Sequence, residues 1–116
     1  MNINPQIEEI FKDFEVDGVF IPIAFLNYYG KSDVYLTYYT WLEQSQEFHD
    51  DDYHASISYA TIDIFSKTNF KNILASVKQK LKENGFTWID NSPETYEPEI
   101  GFYHVAVNFY IEGTSD

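Results

Sequence analysis

Hydrophobic positions along this chain fall into two periods, and the switches between them mark the elements. Ile7, Ile10, Phe11 and Phe14 follow i, i+3, i+4, i+7 spacing, which predicts a short amphipathic helix over 5–15. Asn4 ahead of Pro5 reads as its N-cap, Glu8 and Glu9 suit its dipole, and Gly18 ends it. Residues 19–27 read as a strand. Pro22 cannot donate to a ladder, so this strand belongs at an edge or a bulge. Tyr29-Gly30-Lys31-Ser32 is a turn, and 33–42, DVYLTYYTWL, is a second strand. Residues 43–53, EQSQEFHDDDY, read as the polar tip of a long hairpin. The helical period returns in Phe70, Ile73, Leu74, Val77 and Leu81, predicting a helix over 70–84 with Asn69 as N-cap and Gly85 as C-cap. A short strand follows at 86–89, then an acidic, proline-containing loop over 90–100. The last strand, 102–111, alternates cleanly.

The stretch 54–66, HASISYATIDIFS, organises the rest. It has no Pro and no Gly, and at a strand's rise it would reach roughly 40 Å. Ile57, Tyr59, Thr61, Asp63 and Phe65 lie on one side, and Ser56, Ser58, Ala60, Ile62 and Ile64 on the other. The strand 33–42 is two-faced in the same way. Strands with apolar groups on both faces need cover on both, and a short chain has little mass for two covers. A partner could supply the second. Helix, three strands, helix, two strands joined by tight turns imply an α+β fold. The expected sheet is antiparallel, mixed at most, with four to five strands and both helices on one face. The length suits one domain over 1–116.

Composition narrows the function. Nineteen acids against seven lysines give a net charge of −12, and there is no Arg. Binding to a phosphate backbone by counterion release is therefore disfavoured, and bidentate Arg recognition is excluded. The absence of Cys removes disulfides and thiolate chemistry. Aromatics reach 19%, and Tyr and Trp are favoured where one end is buried and the other wet. The first residues have neither the basic nor the apolar region of a signal peptide. The longest apolar run, 19–26, is interrupted by Pro22 and too short to span a bilayer. The expectation is a soluble protein made in the cytoplasm.

Candidate chemistry is sparse. His49, Asp50, Asp51, Asp52 and His54 are metal-ligand types. A Ca-loop reading from Asp50 lacks Gly at its sixth position and Glu at its twelfth, so the segment reads as a solvated acidic tip and no metal or cofactor is expected. His104 has no nucleophile motif beside it, and Asp63 has no partner at an informative spacing. Each reads as a sheet residue rather than a catalyst. The scattered glycines form no phosphate-cradling loop. Lys71, Lys78 and Lys82 line one side of the second helix, while 43–52 and 90–99 carry acids and no lysine. That polarity suits head-to-tail stacking.

The Tyr-rich VYLTYYTW, the tip EFHDDDYH, the strand end IDIFSK, the helix ending at Gly85-Phe86, the acidic Tyr96-Glu97 loop and the strand FYHVAVNFY occur in that order. Together they resemble the small tail-terminator, or head–tail joining, proteins of long-tailed phages and prophages. The resemblance covers nearly the whole chain. It implies a non-enzymatic virion protein that assembles as a homo-oligomeric ring, a hexamer. Such a ring would cap the tail tube protein and dock on the head connector protein, with DNA passing through the lumen without specific binding and no role for a membrane. Tyr38, Trp41, Asp50, Asp51, Asp52, Lys71, Lys78 and Lys82 are the expected interface residues. The competing expectation is a monomeric acidic binding module, an immunity or inhibitor protein that neutralises a basic enzyme.

Overall fold

A computed structural model describes residues 2–47 and 54–114. Helix α1 spans Asn4–Phe11 and helix α2 spans Lys71–Glu83. The strands are β1 (Glu15–Val16), β2 (Val19–Phe20), β3 (Ile23–Phe25), β4 (Val34–Glu47), β5 (His54–Ser66), β6 (Thr87–Asn91), β7 (Thr95–Glu97) and β8 (Phe102–Thr114). The fold is α+β. The large sheet is mixed and runs β3-β4-β5-β8-β6, with β7 also on β8; β1 and β2 form a small sheet of their own.

The strand count exceeds the four to five expected for three reasons: β1 follows the early end of α1, one proline-containing segment splits, and another, expected as a loop, contributes β7. The stretch 19–27 divides at Pro22 into β2, paired with β1, and β3, paired with β4. The loop 90–100 is also partly strand. The chain from Thr87 to Glu97 runs along one side of β8, interrupted near Pro93. Just before that proline, Ser92 donates its N–H to Ala106 O at 2.9 Å and accepts the Ala106 N–H on its hydroxyl at 2.8 Å. This keeps the ladder continuous where Pro has no N–H to give.

β3 makes the sheet mixed, the limit of what was expected, since it pairs parallel to β4 with Ile23 opposite Leu36. The chain must return to the start of the neighbouring strand, and residues 26–33 do so. Leu26 takes φ 62 to begin the reversal, and Tyr28 crosses to stack on Tyr35 at 4.5 Å. The edge placement required by Pro22 holds. The first helix is shorter than the 5–15 expected: it ends at Phe11, and Glu15 and Val16 turn into β1. Its N-cap is Ile3 rather than Asn4, with Pro5 inside the first turn. Glu8 lies beyond that turn and accepts a hydrogen bond from the Tyr38 hydroxyl.

α2 matches its expected span to within one residue at either end. Phe70, not Asn69, is its N-cap, but Asn69 Oδ1 still accepts the Lys71 N–H at 2.9 Å. At the other end Phe86 N–H reaches Leu81 O and Gly85 N–H reaches Lys82 O, with Gly85 at φ 86. This is a Schellman closure, and the buried Leu81 and Phe86 provide its apolar contact.

One cluster of buried residues joins both helices to one face of the sheet. It holds Ile7 and Phe11 of α1 and Ile73, Val77 and Leu81 of α2. The sheet supplies Leu36, Tyr38, Ala60, Ile62, Ile64, Val105, Val107 and Phe109. Leu74, expected in the stripe, is only partly buried against it. In β5 the even-numbered side is therefore the covered one, and the odd-numbered side has no helix over it.

Candidate functional site: the open face of the sheet

Cross-strand partners share a face, so register alone draws the open side in rows. Tyr35, Phe65, His104 and Thr95 form one row, and Thr37, Asp63 and Ala106 the next. Tyr39, Thr61, Asn108 and Asp90 form the third, and Leu42, Tyr59, Tyr110 and Thr87 the fourth. The two-faced pattern of β4 and β5 is thus resolved. The aliphatic side went under the helices, and the aromatic and polar side stayed outside.

The first row is a stack of rings standing on the sheet. Tyr28 and Tyr35 lie 4.5 Å apart, Tyr35 and Phe65 4.8 Å, and Phe65 and His104 4.4 Å with planes 1° apart. Phe102 meets Tyr35 edge-on at 5.4 Å. The ring faces cover one another, so this row offers edges rather than flat platforms.

His104 finds the partner that spacing did not reveal. Its Nε2 lies 2.7 Å from Asp63 Oδ1, and its Nδ1 lies 3.4 Å from Glu97 Oε1. The residues are 41 apart in sequence, joined because β5 and β8 pair side by side. Both ring nitrogens face carboxylates and the ring face is stacked on Phe65. The imidazole is held as a clamp between strands, with neither nitrogen presented to a hydroxyl nucleophile. The third row holds a second cross-strand relay. Thr61 Oγ1 donates to Asn108 Oδ1 at 2.6 Å, and Asn108 Nδ2 donates to Asp90 Oδ1 at 2.7 Å.

At the far end of this face Trp41 is the extra residue of a bulge between Thr40 and Leu42. The bulge brings Trp41 over Tyr59 at 5.0 Å and leaves it 47% exposed. Tyr38 is a correction. It is 1% exposed, inside the core, and has no surface to offer a neighbour. Its even-numbered position puts it under α1, where its hydroxyl is bound by Glu8. Burial and that carboxylate together push its pKa up.

Asp50, Asp51 and Asp52 lie outside the described residues, as do all of 49–53 in the metal reading. Among the described residues no cluster of three His, Cys, Asp or Glu side chains could hold a metal. A direct test addresses the tip. Excess chelator is expected to leave the melting temperature and the assembly state unchanged, and a clear loss of either would restore a metal to residues 49–54.

The three lysines expected at the interface sit on α2, on the helix side, whereas Lys67 lies over Phe102 at the end of the open face. Lys71 and Lys82 are exposed, and Lys78 Nζ lies 4.0 Å over the ring of Trp88, a cation–π contact with β6. Trp88 escaped the sequence reading because its short strand lacks alternation. No strand of the large sheet contains a lysine or arginine. The open face therefore carries Asp63, Asp90 and Glu97, with His104 held between two of them and no lysine or arginine from its own strands. No helix of the described residues is long and apolar enough to cross a membrane. No family model matches the chain, and no curated protein matches it.

Proposed function

We propose that this chain is a structural subunit of a ring that caps a phage tail tube and joins it to the head connector, with DNA passing through the lumen. One observation carries the reading: among the described residues the sheet leaves a face without helical cover, and the strands of that face contribute Asp63, Asp90 and Glu97 but no lysine or arginine, with Lys67 reaching it only at its end, over Phe102. A wall of this kind repels a phosphate backbone, so DNA slides past without sticking. The His104 clamp, the ring stack and the Thr61–Asn108–Asp90 relay brace the face across its strands, as a lumen wall requires. The resemblance in element order and aromatic positions supports the same role, with a hexamer as its assembly. The protein would then act in the virion, at the head–tail junction, without catalysing a reaction.

A second reading draws on the same acidic, tyrosine-rich face. A monomer could lay it on a basic enzyme as an inhibitor, by charge complementarity. Native mass spectrometry and electron microscopy across protein concentration separate the two. Annular particles, formed alone or on the ends of purified tail tubes, are the expected result. A protein that stays monomeric under both conditions and binds a basic enzyme one-to-one would overturn the ring.

A further inference from the structure

The large sheet has two free edges, and they differ. On one side β3 covers β4 only from Leu36 to Tyr38. Among the described residues no strand pairs with 40–47 on the side away from β5. On the other side the edge is β6. Edge strands usually carry charge rather than exposed apolar groups, because a bare edge recruits other strands. Here both edges carry apolar groups. Trp41 is 47% and Leu42 40% exposed on the first, and Trp88 is 47% and Ile89 38% exposed on the second.

The charges beside the two edges are opposite and lie on the same side of the sheet. Glu43 pairs in register with Ser58, whose row lies on the helix-covered face, and Glu8 of α1 stands on that face over Tyr38. At the other edge Trp88 pairs with the core residue Phe109, which places it on the same face, and Lys78 lies over it. Lys82 lines the same shallow groove as Lys78 and Trp88.

We propose that the free edge of β4 in one copy takes up β6 of the next, so that the sheet continues from subunit to subunit. The proposal rests on the ring reading above and names its seam. Glu43 of one copy then faces Lys78 and Lys82 of its neighbour on the helix side of the seam, while Trp41 and Leu42 stand on its open side, across the strand from Trp88. The two edges are unlike, so the contact is head-to-tail, and such contacts close into rings when the rotation allows. A sheet continued in this way keeps every helix on one side and every acidic open face on the other.

A charge-swap experiment tests the seam. Lys78→Glu with Lys82→Glu sets acid against acid, and Glu43→Lys sets base against base. Each variant alone is expected to raise the concentration for half-assembly at least about tenfold. Mixed in equal amounts they should assemble again, because in an alternating ring every seam is complementary. The rescue also shows that both variants are folded. The chain has no cysteine, so Leu42→Cys with Ile89→Cys permits a second reading. A bis-maleimide should then give a ladder of covalent multimers ending in a closed ring, and either single variant should give no ladder beyond a dimer. Parent rings with indifferent variants, or no rescue on mixing, would overturn the seam and leave the ring standing. A parent that stays monomeric with and without tail tubes would remove both.

Discussion

Replacing Phe109 with Ala is expected to cost about 3–5 kcal/mol, among the largest single effects available in this chain. Phe109 is fully buried and sits mid-sheet in β8. Its cross-strand neighbour on β5 is Ala60, which is also fully buried and too small to fill a void. Its ring meets Phe86 edge-on at 5.3 Å, just past the closure of α2. Truncation would leave a cavity bounded by backbone below and a capped helix end above, neither free to collapse. The loss approaches the whole margin of a small domain, so Tm as well as the urea midpoint should fall sharply. Phe65→Ala is the control, because Phe65 stands on the open face, half-buried, where water replaces the ring. It should cost less than about 2 kcal/mol. If Phe65→Ala proved the more damaging of the two, the core would have been assigned to the wrong face.

Alkali should destabilise the protein, and Tyr38 should carry a recognisable part of the loss. Its ordinary pKa is 10.0, and burial first, then the hydrogen bond and charge of Glu8, raise it in the folded state. Tyr35 moves in the same direction, through burial and then the Glu97 charge. Above pH 10 the unfolded chain releases the Tyr38 proton while the folded chain keeps it. The folded state then binds more protons, so stability falls as pH rises, and it is fully present below pH 10. The slope from Tyr38 is about 1.4 kcal/mol per pH unit until its folded pKa is reached. Urea melts at several pH values between 9 and 11 measure it, taking about one unit on either side of the ordinary value. Tyr38→Phe should flatten the curve by that slope, while lowering stability at neutral pH through the lost bond to Glu8. Equal slopes in parent and variant would mean that the Tyr38 hydroxyl reaches solvent.

Much of the local structure was legible because it follows from short-range rules. The span 54–66 is a strand from its first residue to its last, since unbroken β-branched and aromatic residues leave the backbone little alternative. The stripe ending at Gly85 made α2 legible, because only a left-handed residue closes that helix without strain. Pro22 announced an edge.

What lay beyond the sequence was decided by long-range pairing. Two-faced strands contain no instruction about which face is to be covered. The choice was made when the helices found Ile62, Ile64 and Val107 a better apolar floor than Tyr59, Asp63 and His104. That choice buried Tyr38 and left the aromatic rows outside. Asp63 and His104 are polar residues in apolar strands, which marks each as unusual. Only the pairing of β5 with β8 made them partners. The bulge at Trp41, the parallel entry of β3 and the contact of Lys78 with Trp88 arise in the same way. Periodicity along a chain sets backbone conformation and the two sides of an element. Register, neighbour and side of cover are set by packing between elements far apart in sequence, which no local pattern encodes.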